Sequence, residues 1–346
     1  MISVHDISRL YQGDAPVITT IDSHTEGEVT RLIVDGVPAL SGATMMEKLT
    51  EFKLRHDGIR SLLTREPRGS RQVLAALVTE PVFPDAAFGL IYMDARRYPY
   101  LCGHATIGAV TTLFRTGALT LRPGENRVGI DTPSGRMTAL AHVQAGKLTA
   151  VSIDMVPAFV FDTDRKLQVD GFGTVSVDLV CAGGFFAMVN TDQLGLAPVL
   201  ANRPVLVDLG MKIIAAANEQ ISVMHPERPD VTTVDVTEFY DAVTQGGPLH
   251  GRGMVVYGES HMDRSPCGTG TAAKLALLHH TGKIGLHQPY VNASPLGTTF
   301  TAQLVETTRV GDIEACVTRI SGRAWITGVH RFILDSTDPF QKGYLI

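Results

Sequence analysis

Cysteine is scarce in this sequence, with four residues among 346. So few thiols cannot form the disulfide framework of a secreted domain, and we expect them to stay reduced in a cytoplasmic protein. Long apolar runs are also missing, because no stretch approaches the ~18 residues of a membrane-spanning helix. The N-terminal segment, MISVHDISRLYQGD, lacks the charged, apolar and small-residue order of a signal peptide. We therefore expect no membrane partner.

An excess of basic charge is likewise absent. Lysine and arginine number 30 and aspartate and glutamate 35, which leaves a formal net charge of −5. Without a basic stripe to neutralise phosphates, nucleic acid is not an expected partner. The GxxxxGK[ST] and strand-linked GxGxxG signatures of nucleotide sites are also missing, and no lysine has the surroundings of a pyridoxal site. The sequence therefore predicts a protein without a cofactor.

Short runs rich in β-branched residues dominate the sequence and predict strands. These runs cover 17–24, 29–36, 73–80, 87–94, 149–156 and 253–260. Four segments have the apolar spacing of helices, at 45–64, 103–117, 203–220 and 268–282. The fold class predicted from these patterns is a strand-rich α/β chain with few, well-separated helices.

The length predicts about two domains, because roughly 150 residues is usual for one. Turn-forming residues are densest near the middle of the chain in the segment 157–173. We therefore place the change of domain there.

An internal repeat supports the division into two halves. Residues 102–119, CGHATIGAVTTLFRTGAL, align without a gap with residues 267–284, CGTGTAAKLALLHHTGKI, and 6 of 18 positions are identical. Chance similarity between two amphipathic helices is the alternative. However, two of only four cysteines occupy the same position of the repeat, each before a glycine at a predicted helix start. Duplication is therefore favoured, with one thiol presented by each half.

A thiol at a helix start lies near unpaired backbone N–H groups and the positive end of the helix dipole, which lower its pKa. We therefore expect Cys102 and Cys267 to ionise readily and to act as bases. The following glycines, Gly103 and Gly268, allow a carboxylate to approach the same N–H groups. Two thiols on opposite sides of a shared cleft suit a two-base racemase, since inversion needs proton removal on one face and delivery on the other. The two groups must then hold opposite protonation states.

Two polar side chains near the cysteines suit an amino-acid substrate. His104 follows Cys102 by two residues, and Asp263 precedes Cys267 by four in DRSPCGTG. An imidazole and a carboxylate together can hold a substrate amine. The alternatives are local: a turn or cap formed by Asp263 and a first-turn hydrogen bond of His104.

Two other combinations of polar residues resemble metal sites. Asp22, His24, Glu26 and Glu28 alternate in DSHTEGE and share one face of an extended strand. No second cluster completes such a site, so we expect no metal there.

A Cys2His2 zinc site is a further combination, but its Cys-x-His spacing is unlike the usual pairs. Its members are Cys102, His104, His261 and Cys267. Cys181 and Cys316 lie in apolar strand-like runs, where we expect them to be buried as packing residues.

The two cysteine motifs, CGHATIGAV and DRSPCGTGTAAKLA, resemble those of the proline racemase family, within the diaminopimelate epimerase-like fold. The segments IDSHTEGEVTRLIVDG, EPRG (66–69), 156–187 and AWITG (324–328) resemble the same family, so the likeness runs from about residue 17 to the C-terminus. The resemblance implies two pseudo-symmetric domains, each a curved, mostly antiparallel sheet around a central helix, with the active site in the cleft between them. Residues 1–160 with about 330–346 would form the half that carries Cys102, and 161–329 the half that carries Cys267.

The same resemblance implies roles for individual residues. Cys102 and Cys267 would be the acid/base pair, and Asp263 and the His104 side chain would contact the ring nitrogen of the substrate. The substrate carboxylate would be bound by the backbone amides of Gly103, His104, Gly268 and Thr269. The implied activity is cofactor-free racemisation or 2-epimerisation of proline or hydroxyproline, a small-molecule amino acid, usually in a homodimer.

Substrate choice is left open by two departures from the family pattern. Leu74 and Tyr257 stand where proline racemases usually carry phenylalanine, and the Tyr257 hydroxyl can donate to a ring hydroxyl. Arg96 and Arg97 lie in an atypical loop beside Cys102, and they either admit a more acidic substrate or face solvent. The family's trans-3-hydroxyproline dehydratases typically carry threonine in place of the second cysteine. Cys267 therefore favours an epimerase or racemase over a dehydratase. A non-catalytic protein that binds proline analogues is a further alternative.

Overall fold

The structure, a computed structural model, describes residues 15–241, 249–258 and 260–345. Within this part the chain forms 17 strands and four α-helices, so the strand-rich prediction is confirmed. All six predicted strands and all four predicted helices are present. The N-terminal segment 1–14 and residue 259, near the end of the strand predicted over 253–260, lie outside the described residues.

The first half of the chain contains seven strands and two helices. The strands are β1 (Val17–Thr25), β2 (Glu28–Asp35), β3 (Leu74–Thr79), β4 (Phe88–Met93), β5 (Gly124–Thr132), β6 (Gly135–Gln144) and β7 (Lys147–Asp154). Helix α1 (Met45–Thr64) connects β2 to β3, and α2 (Gly103–Arg115) connects β4 to β5. The pairings β2–β3 and β4–β5 are parallel, whereas β1–β2, β3–β4, β5–β6 and β6–β7 are antiparallel.

The remainder of the chain contains ten strands and the other two helices. The strands are β8 (Ala158–Val169), β9 (Gly173–Ala182), β10 (Phe185–Asn190), β11 (Val234–Tyr240), β12 (Leu249–Tyr257), β13 (His261–Met262), β14 (Tyr290–Ala293), β15 (Thr299–Val310), β16 (Ile313–Gly322) and β17 (Ala324–Ile333). Helix α3 (Arg203–Gln220) precedes β11, and α4 (Gly268–His280) precedes β14. Two short 3₁₀ turns, Thr191–Leu194 and Leu200–Asn202, precede α3.

Strand pairing in the second half repeats the order of the first. The pairings β10–β11 and β12–β14 are parallel, whereas β9–β10, β11–β12, β14–β15 and β15–β16 are antiparallel. Helices α3 and α4 also occupy the places that α1 and α2 occupy in the first half. The duplication predicted from the repeat is therefore confirmed at the level of topology.

The two halves exchange their last strands. Strand β8 follows β7 but pairs with β9, and β17 follows β16 but pairs with β1, while β7 and β16 pair with each other. The C-terminal return to the first half thus begins at Ala324 rather than at about 330. The predicted domain limits otherwise remain a prediction.

The segment 157–173 is not the turn-rich connection that its composition suggests. Most of it forms β8, which pairs along its length with β9. The polar residues between Val160 and Arg165 are accommodated by two irregularities in the strand register. Because a bulge accepts extra residues without ending a strand, turn-forming residues there do not stop the pairing.

Helices α2 and α4 are the central elements of the two halves. Ten of the 13 residues in each helix are buried, including nearly every position from the first turn to the last. A helix that is apolar or small on all sides belongs in a protein interior. Both helices contribute to one hydrophobic cluster, so the central-helix architecture implied by the resemblance is confirmed.

Both central helices end two residues earlier than predicted, by the same device. Gly117 and Gly282 adopt positive φ angles of 79° and 68°. Their N–H groups donate to the carbonyls of Phe114 and His279. Glycine takes this conformation without a steric penalty, which is why it terminates helices.

Candidate active site

The two helix starts that carry Cys102 and Cys267 meet at one place in the molecule. A Cβ atom at Gly103 would lie 3.6 Å from Ile320 Cδ1, and one at Gly268 would lie 3.0 Å from the same atom. Both positions are also bounded by Met155, at 3.7 Å and 3.3 Å. Ile320 and Met155 thus form a common floor under both helices. The structure therefore brings together the two cysteine motifs that the repeat predicted.

Cys102 is half-buried and has relaxed, extended backbone angles, with φ −146°. Its Sγ atom lies 3.3 Å from Nδ1 of His104. The carbonyl of His104 accepts a 2.7 Å hydrogen bond from the Thr25 hydroxyl, which ties this helix start to β1. The imidazole thus lies beside the thiol, and its predicted contact with a substrate nitrogen stays a prediction.

Cys267 is buried and has a different backbone conformation, with φ +58°. Few residues other than glycine adopt this left-handed region, so the surroundings must hold the residue there. The N–H of Gly270 donates to Cys267 Sγ at 3.4 Å, and the Thr269 hydroxyl lies 3.5 Å from the same sulfur. The thiol thus occupies the N-cap position of α4.

Asp263 is buried next to this second helix start. Its Oδ1 accepts hydrogen bonds of 2.8 Å from both the N–H and the hydroxyl of Ser265. The Ser265 hydroxyl in turn accepts from the N–H of Cys267 at 3.1 Å. Asp263 thus forms the local turn that the sequence offered as an alternative, and it also lies beside the thiol.

The pKa of Asp263 is raised to about 7. Burial is the main cause and the charge of Glu28 the next, while hydrogen bonds from Ser265 oppose the rise. A carboxyl group with this pKa changes charge near neutrality. Its ionisation is therefore sensitive to any cation that enters the cleft.

The thiol pKa values differ from the sequence expectation. Burial raises the pKa of Cys102 to about 12, and the nearby charges of Asp263 and Glu28 add to the rise. Burial and Asp263 likewise raise the pKa of Cys267 well above its usual value. The expected lowering of the thiol pKa at a helix start is wrong, because desolvation and neighbouring carboxylates outweigh the backbone N–H groups.

Glu28 links the two halves and was not singled out as a site residue by sequence. It lies on β2, and its carboxylate accepts from the Arg264 backbone and side chain at 2.8 to 3.0 Å. His261 Nε2 lies 3.4 Å from the same carboxylate. Burial would raise the pKa of Glu28, but its bonds to His261 and Arg264 hold it well below the usual range. This contact lies between distant segments, so local spacing gave no signal for it.

The segment DSHTEGE does not form the single extended strand expected from its alternation. Asp22 lies on β1, Glu26 lies in the turn with a φ of +46°, and Glu28 begins β2. Each of these carboxylates pairs with a different arginine. The ion pairs are Asp22 with Arg31 at 2.8 Å, Glu26 with Arg323 at 3.5 Å and Glu28 with Arg264 at 2.9 Å.

Leu74, Tyr257 and Cys102 all pack against the core cluster that contains Cys267. Leu74 begins β3 and Tyr257 ends β12, with the Tyr257 ring edge-on to His261 at 4.7 Å between centroids. Burial and nearby negative charges raise the pKa of the phenol. The groups whose charges act on it come from both halves: Asp263, Glu28, Cys267 and Cys102.

Gly103, His104, Gly268 and Thr269 form the first turns of α2 and α4. The first N–H groups of a helix have no intrahelical partner, which makes these turns suitable for a carboxylate. The two turns meet over the common floor, so one small anion has access to both.

The arginine loop and the other two cysteines lie apart from this chemistry. The N–H groups of Arg96 and Arg97 both donate to Asp94, and the Arg97 side chain is 64% exposed. Cys181 and Cys316 are buried at 1% and 4% exposure in β9 and β16, so their packing role is confirmed.

In the described ranges, no helix combines the length and apolar character needed to cross a membrane.

Comparison with known proteins gives a consistent result. The model of the family described as proline racemase matches residues 20–345. The chain is 39% identical to the proline racemase of Clostridioides difficile, over 95% of this chain and 98% of that protein. It is 38% identical to the 4-hydroxyproline 2-epimerase of Streptosporangium roseum, with the same shares covered.

The fold is also that of a solved relative. The hydroxyproline epimerase from Agrobacterium vitis, determined with bound trans-4-hydroxy-L-proline, superposes with a TM-score of 0.84 at 29% identity. The superposition covers 96% of this chain and 95% of that structure. This chain belongs to the proline racemase family of amino-acid racemases and epimerases.

Proposed function

We propose that this chain is a cofactor-independent racemase or 2-epimerase that inverts C2 of a hydroxyproline or of proline, with Cys102 and Cys267 as its two acid/base residues. The observation that carries the proposal is the meeting of two cysteine-capped helix starts over Ile320 and Met155. One thiolate removes the Cα proton on one face, and the other thiol delivers a proton on the opposite face. The product leaves the two thiols with exchanged protonation states.

The charge of the substrate favours ionisation of the thiol that removes the proton. Burial raises the pKa of both thiols, the charge of Asp263 adds to the rise at both, and the charge of Glu28 adds to it at Cys102. The ammonium group of a proline derivative offsets these negative charges, which lowers the free energy of forming a thiolate. The ionisation of the reactive thiol is thus coupled to the binding of a cationic substrate.

The two ends of the substrate have matching partners. Asp263 and the His104 imidazole bind the ring nitrogen, and the first-turn amides of Gly103, His104, Gly268 and Thr269 bind the carboxylate. Negative charge that develops on the carboxylate as the proton leaves is stabilised by these amides in a site that excludes water. No cofactor is required for this distribution of roles.

Tyr257 favours a hydroxylated ring as the substrate. Its phenol is acted on by the charges of both cysteines and of Asp263, and a phenol can donate a hydrogen bond to a hydroxyl on the substrate ring. Leu74 supplies an apolar wall at the start of β3. We therefore rank hydroxyproline ahead of proline.

The test is a deuterium-exchange screen of proline, 3-hydroxyproline and 4-hydroxyproline isomers in deuterated water, followed at Cα by NMR. We expect exchange with inversion at C2 for at least one isomer. Absence of exchange with every proline derivative would overturn the proposal, and a thermal shift with pyrrole-2-carboxylate in that case would identify a binding protein.

The same screen distinguishes a trans-3-hydroxy-L-proline dehydratase. In that reaction one cysteine removes the Cα proton and the 3-hydroxyl leaves, so the product is a cyclic imine that borohydride traps. We expect no trapped imine, because Cys267 occupies the position where the dehydratases of the family typically carry threonine. We also propose that the protein is a cytoplasmic homodimer. Analytical ultracentrifugation of the purified protein tests whether it forms a dimer.

A further inference from the structure

A fully buried lysine lies beneath the helix start that carries Cys267. Lys274 is 0% exposed and occupies α4 seven residues after the cysteine, which is two helical turns. Its Nζ atom donates to the carbonyl of Arg252 at 3.0 Å and to Oδ1 of Asn292 at 2.9 Å, and it pairs with Glu238 at 3.4 Å. A buried charge is costly unless its partners compensate for lost water. The position therefore calls for an explanation beyond packing.

Asn292 extends this contact to the cysteine loop. Because its Oδ1 accepts from Lys274, its Nδ2 is directed the other way and donates to the carbonyl of Pro266 at 3.0 Å. Nδ2 also donates to the Thr271 hydroxyl at 2.8 Å, and that hydroxyl donates to the carbonyl of Cys267 at 2.6 Å. The carbonyl of Pro266, before the Cys267 N–H, and the carbonyl of Cys267 itself thus both accept hydrogen bonds from one connected set of side chains.

The backbone at Cys267 needs such a restraint. Its φ of +58° lies in a region that is unfavourable for residues other than glycine, so surrounding contacts must hold the residue there. A change at this residue would turn the Cα–Cβ bond and move the sulfur away from the N–H of Gly270. The direction of the thiol therefore depends on what holds the Pro266–Cys267 peptide.

The first half has no lysine at the equivalent place. In the ungapped repeat alignment, Ala109 corresponds to Lys274, and it is buried in the apolar cluster around α2. Thr106, the counterpart of Thr271, donates to the carbonyl of Cys102 at 2.8 Å but contacts the Tyr92 hydroxyl instead of an asparagine. The relaxed backbone of Cys102 matches this simpler arrangement.

We propose that Lys274 and Asn292 are positioning residues for Cys267: Lys274 orients the Asn292 amide, and Asn292 fixes the Pro266–Cys267 peptide and thereby the direction of the thiol. This inference rests on the proposed function, in which Cys267 transfers a proton to or from C2. Neither residue touches the substrate. Glu238 lies 3.4 Å from the Lys274 Nζ atom and is the carboxyl group paired with the lysine inside the fold.

Kinetics of the full-length protein with the best substrate of the exchange screen provide the first test. Asn292→Leu and Lys274→Met should each lower kcat by about tenfold to a hundredfold and change KM by less than about threefold, because a misdirected thiol impairs the proton transfer rather than binding. The double variant should be no slower than the slower single variant, since both residues act through one contact. Effects that multiply, or an unchanged kcat, would overturn the proposal.

A second measurement does not need turnover. The ratio of iodoacetamide alkylation rates at Cys267 and Cys102, read from peptide masses, should change by at least about threefold in both variants, because thiol reactivity depends on the local environment. Lys48→Met is the matched control, since Lys48 is a buried lysine of α1 whose Nζ donates to the carbonyl of Glu80. That control should leave the ratio unchanged, and an unchanged ratio in the Lys274 and Asn292 variants would contradict the proposal.

Two further points keep the test decisive. If Asn292→Leu does not fold, Asn292→Asp preserves the size and the contact with Lys274 but places an oxygen against the Pro266 carbonyl, so the same loss is expected. If the wild-type protein turns over no proline derivative, the proposed function fails, while the alkylation ratios still decide whether Lys274 and Asn292 position the thiol.

Discussion

The helix starts of α2 and α4 occupy equivalent places in the repeated topology, yet their cysteines differ in almost every local respect. Cys102 has an extended backbone and an imidazole 3.3 Å from its sulfur. Cys267 has a left-handed backbone, and its sulfur accepts a backbone N–H of its own helix. Strand order has thus been preserved between the halves while the surroundings of the thiols have diverged.

This difference suits the proposed reaction, in which two bases act on opposite faces of one chiral carbon. The ring nitrogen of the proposed substrate lies to one side of that carbon, so identical surroundings would not serve both faces. The imidazole of His104 lies beside the first thiol, and Asp263 is linked through Ser265 to the N–H of the second cysteine. The predictions below test how far the inequivalence extends.

Removal of either thiol should have the largest effect. Cys102→Ser and Cys267→Ser should each lower the rate of inversion by about 10²- to 10⁴-fold, the usual contribution of a general acid or base. Chiral chromatography of the product measures this loss. Cys181→Ser is the control, because Cys181 is a buried packing residue of β9 and should leave the rate nearly unchanged.

The ion pair between the halves comes next. Glu28→Gln should lower the free energy of unfolding by about 3–5 kcal/mol, because it leaves Arg264 without its buried partner. The pKa of Glu28 is depressed in the folded state. Its stabilisation is therefore present above the unfolded carboxyl pKa of about 4.3 and is lost as the pH falls below that value.

Urea unfolding at pH 7 and at pH 4 checks this expectation. The wild-type protein should lose stability over this interval, and the Glu28→Gln variant should lose less. An equal loss in both proteins would show that another carboxylate controls the acid sensitivity.

Asp263 should show the opposite sign. Its folded pKa, about 7, lies above its ordinary value of 3.8, so the folded state binds a proton that the unfolded state releases. Stability from this group is present below pH 3.8 and is lost as the pH rises through about 7. Asp263→Asn should therefore stabilise the protein by about 1–3 kcal/mol above pH 7, as followed by thermal or urea unfolding.

The same variant should lose activity, because it no longer pairs with the substrate nitrogen. A variant at Asp263 that is both less stable and fully active would contradict its assignment to the cleft.

The smallest expected effect concerns the substrate ring. Tyr257→Phe should reduce the preference for hydroxyproline over proline by about threefold to tenfold in kcat/KM, which corresponds to one hydrogen bond of about 0.5–1.5 kcal/mol. Competition between the two substrates in one NMR sample measures the ratio directly. An unchanged ratio would assign the recognition of the hydroxyl to another group.

Local patterns predicted the elements of the fold well. The limits of α1 and α3 agree with the helical patterns at 45–64 and 203–220, and the repeat located both cleft cysteines. These features depend on residues that are close in sequence, so one sequence is enough to recognise them.

What sequence could not provide depends on distant contacts. The Glu28–Arg264 pair joins positions 236 residues apart, and the relay from Lys274 through Asn292 becomes visible only when α4 packs on β14. The thiol pKa values were misjudged for the same reason, because a helix start is recognisable in sequence but the desolvation around it is not. Strand β8 was missed because its turn-forming residues are absorbed by irregular pairing.

The pairing of β7 with β16 has a mechanical consequence. Ile320 lies opposite Ile153 in this pairing, and it also forms the floor beneath both helix starts. A seam of backbone hydrogen bonds between the halves thus passes through the residue on which both helix starts rest. A shift of β16 against β7 would therefore displace the support of both helix starts at once, so this seam restrains their position relative to each other.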